Sequence, residues 1–159
     1  MKSGGQRGVS LMEMVIVLSI AAIAMTAVIP TLRGYYQQYT FNNYASEMAY
    51  LVKYGKIYAM ANTTNVGVCV SGSQLTIYNV GTNRGAGLCS GTSVKSMTIA
   101  SGDSYVSLSG AGASVDPRGL AITAGSVCVA YNGGYSRVCI GTTGIRTDQG
   151  TGGCSACTS

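Results

Sequence analysis

The 159-residue chain contains no histidine, and its carboxylate side chains number only five. The first absence removes the usual neutral-pH general base and the commonest imidazole metal ligand. The second leaves little material for carboxylate-based acid–base chemistry. There is also no Walker or dinucleotide-binding glycine motif and no G-x-S-x-G nucleophile element. The chain therefore reads as a protein that is not an enzyme, and no cofactor or metal is expected. Its ten Lys and Arg residues are scattered, without the cluster that marks a nucleic-acid or polybasic lipid site. Cysteine is missing from every position before Cys69. Six cysteines follow, at 69, 89, 128, 139, 154 and 157.

What the chain does have is divided between two compositions. Apolar residues make up 47% and glycine accounts for 23 positions, but they occupy different segments. Sustained hydrophobicity lies between Val9 and Leu32; beyond about Asn62 the sequence breaks into short β-branched runs punctuated by glycine. A chain of this length buries one modest core. This implies an apolar stalk and one polar head. An even number of cysteines, all in the head, favours disulfides formed in an oxidising compartment.

Residues Met1 to Gly8 are short, basic and glycine-rich, and they run directly into the apolar stretch. In an ordinary secretory signal, cleavage follows the apolar core at a small-residue site. No convincing site follows Leu32. From Met14 to Leu32 no charge intervenes, and at about 1.5 Å per residue a helix of that length reaches about 28 Å, enough to cross a bilayer. Lys2 and Arg7 before the span should remain cytoplasmic, which places the head on the far side. The cysteines independently ask for that orientation. Loss of Lys2 and Arg7 with a leader would lower the formal charge from +5 to +3.

Glu13 is the anomaly, because an unpaired carboxylate in the first turns of a membrane helix costs several kcal/mol on typical scales. A cut after Gly8 would give Val9 a free α-amine and make Glu13 the fifth residue, one helical turn away. The amine of a neighbouring subunit could then neutralise Glu13 when stalks pack side by side.

The run Gly8-Val9-Ser10-Leu11-Met12-Glu13, followed by an apolar helix containing Pro30, resembles the type IV prepilin signature. That resemblance implies cleavage between Gly8 and Val9 by a prepilin peptidase, N-methylation of Val9, and an assembly role for Glu13. It also implies the partners: other pilin or pseudopilin subunits, the peptidase, an inner-membrane assembly platform, and membrane lipid before assembly. The implied location is the inner membrane, single-pass with the head in the periplasm, and then a pilus or pseudopilus. Val9 departs from the phenylalanine usual at that position. Pro30 removes a backbone hydrogen bond, so a kink or loosening is expected between Thr26 and Pro30.

After Arg33 and Gly34 an amphipathic pattern runs through Phe41, Tyr44/Ala45, Met48, Leu51/Val52, Gly55 and Tyr58/Ala59. Asn62 to Asn65 should end the helix. The seven tyrosines from Tyr35 to Tyr58 are read as packing and interface residues. Strands are expected at Val66–Val70, Leu75–Asn79, Lys95–Ala100, Tyr105–Leu108, Ser126–Tyr131 and Tyr135–Ile140. The expected architecture is α+β, a long N-terminal helix packed on a small antiparallel, β-sandwich-like head. Its segments are a leader at 1–8, a membrane or filament-core helix at 9–32, an amphipathic half-helix at 33–62 and a disulfide-bonded head at 63–159.

In the clearest hairpin, a Gly133-Gly134 turn would set Cys128 opposite Cys139 and suggest a disulfide across the strands. An Asn132-Gly133 turn would shift the register and misalign the two. Cys154–Cys157 and Cys69–Cys89 would complete that pairing, one of fifteen connectivities that six cysteines allow.

The segments Val115-Asp116-Pro117-Arg118-Gly119 and Tyr135 to Gly141, leading into Thr143-Gly144-Ile145-Arg146, resemble GspH/FimT-type minor pilins and pseudopilins. This resemblance implies a minor pilin of a type IV pilus, with a type II secretion pseudopilin as the alternative. Some members bind DNA through a C-terminal Gly-Arg-x-Arg element, whereas this chain has Gly144-Ile145-Arg146-Thr147. Only Arg146, helped by Arg137 and Arg118, could contact phosphates. Asp116 to Gly119 also suits a plain turn.

Overall fold

The computed structural model describes residues 10–85, 87–155 and 157. Among these residues one helix, α1 (Leu11–Asn62), is followed by nine strands. In chain order these are β1 (Asn65–Ser71), β2 (Gln74–Gly81), β3 (Thr92–Thr98), β4 (Ser107–Ser109), β5 (Ala113–Val115), β6 (Ala121–Thr123), β7 (Gly125–Tyr131), β8 (Gly134–Gly141) and β9 (Gly144–Thr151). A short 3₁₀ turn, Ser101–Asp103, precedes β4. The chain divides into two compact units, Met1–Gln37 and Gln38–Ser159.

In the first unit, α1 begins where the Ser10 carbonyl accepts the amides of Glu13 at 3.0 Å and Met14 at 3.2 Å. No described side chain before Thr40 is buried. Leu18 is 67% exposed and Ile23 72%. Within this stretch Ser19 and Thr26 donate to the carbonyls of Val15 and Ile23, turning their hydroxyls back onto the helix. Pro30 sits inside the helix, and having no N–H it cannot bond the Thr26 carbonyl.

The second unit has two antiparallel sheets, ordered β3-β2-β1-β5-β6 and β4-β7-β8-β9. Its part of α1 places Phe41, Ala45, Met48, Val52, Gly55 and Ala59 on one stripe, at spacings of three and four. The apolar residues of that stripe join Val66, Val68, Leu75 and Ile77 from the first sheet, and Val127, Val129, Val138 and Ile140 from the second, in a single buried core. Gly55 allows close approach. A Cβ added there would lie 3.4 Å from both Ile77 and Val66.

The six expected strands are present within a few residues of their expected ends, and β5, β6 and β9 are additional. The hairpin turn is Asn132-Gly133, with Tyr131 paired to Gly134. Both central residues have positive φ, 46° and 75°, the conformation that matches the twist of a two-residue hairpin. Cys128 therefore faces Arg137, and Cys139 faces Ser126. The disulfides are Cys69–Cys89, Cys128–Cys154 and Cys139–Cys157. This corrects the cross-strand Cys128–Cys139 and local Cys154–Cys157 pairs. The register separates the first two cysteines, and the C-terminal tail supplies the partner of each.

Candidate functional site

The N-terminal half of α1 is the first candidate. The Gly8–Val9 cleavage position lies outside the described residues. Glu13 falls in the first turn of α1, where the unpaired amides and the helix dipole favour a negative charge. Around it, Leu11, Met12, Met14, Val15, Ile16, Val17 and Leu18 are all exposed. Apolar side chains at consecutive positions point in every direction around a helix, so this surface wraps the whole cylinder. The helix is long and apolar enough to cross a membrane.

The three arginines that could meet a polyanion occupy different settings. Arg137 on β8 is buried, 5% exposed. Its guanidinium donates to Ser155 O at 2.6 Å, to Ser155 Oγ at 3.0 Å and to the Asp148 carboxylate, and it lies over the Tyr135 ring. This removes Arg137 as a possible helper in phosphate contact. The side chain is a clamp between β9 and the tail. The clamp follows from pleating. Cys128, Arg137 and Asp148 are cross-strand partners and share one face of the second sheet, while Val127, Val129 and Val138 point to the core. The two C-terminal disulfides fasten the tail across that outer face.

Arg118 is engaged with its own turn. The Asp116 carboxylate accepts the amides of Arg118 at 2.9 Å and Leu120 at 3.0 Å, and the Arg118 side chain at 3.0 and 2.8 Å. Asp116 is 2% exposed. Burial opposes its ionisation, but the amide of Leu120 and the side chain and amide of Arg118 outweigh it, and the carboxyl is held below its ordinary range. Gly119 closes the turn with φ +78°, and a Cβ there would meet Lys56 Cε at 2.6 Å and Met60 Sδ at 3.2 Å. The turn reading of Asp116 to Gly119 therefore accounts for the motif. Arg146 is exposed on β9 opposite Cys139, beside a cleft of about 490 Å³ whose lining includes Gly125, Ile140, Ile145 and Cys157.

Six of the seven tyrosines of α1 fall into two groups. Tyr35, Tyr36 and Tyr39 are exposed. Tyr50, Tyr54 and Tyr58 form an i, i+4 ladder with ring centroids 6.1 and 6.2 Å apart, and Lys95 Nζ lies 4.7 Å over the Tyr50 ring. Tyr44 lies outside both groups. It donates to Asp103 at 2.8 Å and accepts the Ala100 amide at 3.1 Å, while Tyr105 donates to the same carboxylate. The Ala100 amide favours the Tyr44 phenolate. Burial and the Asp103 charge together overcome it, and the phenol is pushed up.

Residue chemistry alone gave no sign of the tail clamp. Its available signal was the alternation in Val127-Cys128-Val129 and Val138-Cys139-Ile140, which puts both cysteines opposite the core face. Arg84, which approaches Asp116 to 3.7 Å, carried no motif.

Comparison with known proteins adds two findings. Residues 4–29 match the prokaryotic N-terminal methylation motif. Among solved structures, the fold is similar to the minor pseudopilin EpsH from the type 2 secretion system of Vibrio cholerae, with a TM-score of 0.53 and 13% identity over 67% of this chain and 94% of that one. No curated protein matches the sequence. The N-terminal motif is thus that of the prepilin-like proteins, and the long helix with its antiparallel sheets has the fold of a minor pseudopilin.

Proposed function

We propose that this chain is a structural subunit of a type IV pilus-like filament, membrane-anchored first and assembled through its N-terminal helix. The observation that carries this reading is the exposed, apolar helix surface from Leu11 to Leu32, most of which lies within the methylation motif at residues 4–29. A surface of that kind must be covered by lipid or by other helices. Both occur in turn if a membrane-held precursor is drawn into a filament.

In this account a prepilin peptidase cuts after Gly8, the Val9 amine is methylated, and residues 9–32 hold the subunit in the inner membrane with residues 63–159 in the periplasm. Glu13 then pairs with the amine of a neighbouring subunit, so that neither charge enters the packed helices alone. Within the class, the sequence favours a minor pilin of a type IV pilus. The second reading, a type II secretion pseudopilin, is favoured by the likeness to EpsH. Gene deletion separates them: loss of surface pili with normal protein secretion supports the first, and loss of secretion with normal pili supports the second. DNA binding has less support, because Arg137 is buried and Gly144-Ile145-Arg146-Thr147 lacks the paired arginines of the Gly-Arg-x-Arg element.

A further inference from the structure

Two loops distant in sequence set two arginines around one carboxylate oxygen. Asp116 Oδ2 lies 2.8 Å from Arg118 Nη2 and 3.7 Å from Arg84 Nη2. The carboxylate has no need of the second. Its oxygens already accept four hydrogen bonds from the Arg118 and Leu120 amides and the Arg118 side chain, and an ionised carboxylate offers about four acceptor sites. Arg84 therefore adds a charge without supplying a missing bond.

Arg84 and Arg118 line an open cleft of about 350 Å³, together with Thr63, Asn65, Thr82, Pro117 and Asp116 itself. Their side chains are 59% and 70% exposed, against 3% for Asp116. Two cations against one anion leave a surplus positive charge at the mouth, and Lys56 packs its stem against Gly119 in the same turn. The Arg137 clamp is the contrast. There a buried guanidinium faces Asp148 and the tail, and its purpose is structural.

We propose that the Arg84–Arg118 cleft binds a phosphate-class oxyanion, with the threonine hydroxyls as neutral donors. A tetrahedral group presents oxygens to both guanidiniums, whereas a planar carboxylate is matched by a single fork. Free phosphate and the headgroup of an acidic phospholipid share this chemistry. The site is independent of how the N-terminal helix is used.

The test is titration of the full-length protein, in an uncharged detergent at low ionic strength, with inorganic phosphate, glycerol phosphate and chloride. Saturable binding of phosphate but not chloride is expected, weakened about tenfold or more by Arg84→Ala, the size expected when one charge-assisted hydrogen bond is lost. The melting temperature of the unliganded variant should be unchanged, and Arg84→Lys should retain part of the affinity. Tighter binding of glycerol phosphate supports the headgroup, and equal or weaker binding supports the free anion. The proposal is overturned if phosphate binds no better than chloride or if Arg84→Ala binds like the parent. It is also overturned if duplex DNA binds while neither small phosphate does, because that would mark a polyanion surface in place of a single-oxyanion site.

Discussion

The two halves of α1 are one continuous helix built to opposite rules. Before Thr40 no described side chain is buried, while in the second unit Met48, Leu51 and Val52 are completely buried. The difference lies in pattern more than in composition. A helix apolar on every side has no polar face to show to water, so it needs lipid or other helices. A helix apolar on one stripe, as from Phe41 to Ala59, is satisfied by its own domain. The second half therefore belongs to the fold of the head, and the first is the half that the proposed function gives to assembly.

The sharpest test of this contrast pairs two leucines. In full-length protein unfolded by heat in detergent, Leu51→Ala should destabilise the head by about 2–5 kcal/mol, as expected for a buried leucine. Leu18→Ala should stay within about 0.5 kcal/mol. Equal effects would break the division.

The C-terminal clamp comes next. Replacing Cys128 and Cys154 together by serine should cost about 2–5 kcal/mol, the usual range for a native disulfide. Filament incorporation by the molecules that remain folded should be unaffected.

A smaller effect is expected at Asp116. Its folded-state pKa is lowered, so it contributes stability above its unfolded value near 3.9, and that contribution is lost as pH falls through the folded value. Asp116→Asn should cost about 1–3 kcal/mol at neutral pH, because it leaves buried donors poorly matched. The variant's acid-unfolding curve below about pH 4 should be flatter. An unaltered acid limb would remove Asp116 from the account. A smaller loss again is expected for Lys95→Ala. The loss of its contact with the Tyr50 ring should change stability by about 0.5–1 kcal/mol at this exposed site.

Much of this architecture was legible because its causes are local. The uncharged run from Met14 to Leu32 and the spacing from Phe41 to Ala59 each follow from helical periodicity. The short alternating runs foretold six strands. Strands β5 and β6 escaped notice because three residues leave too short a pattern, and β9, Gly144–Thr151, is polar enough to resemble a loop. The expected Cys69–Cys89 disulfide is present, while the two pairs expected among the last four cysteines failed through one step of register. Asn132-Gly133 forms the turn, and every downstream partner shifts with it. Arg137 looked like a surface cation because sequence alone could not show that a tail pinned at Cys154 and Cys157 would cover it. The convergence of Arg84 on Asp116 is likewise a product of tertiary folding.

The central claim is that Glu13 serves assembly and not the stability of the head. Its most direct test is the amount of subunit in sheared filaments for the parent chain and for Glu13→Ala, measured alongside leader cleavage and head melting temperature. The account predicts normal cleavage and an unchanged melting temperature with incorporation reduced about tenfold or more, as loss of a charge pair between packed helices implies. Incorporation of Glu13→Ala at the parental level would contradict it.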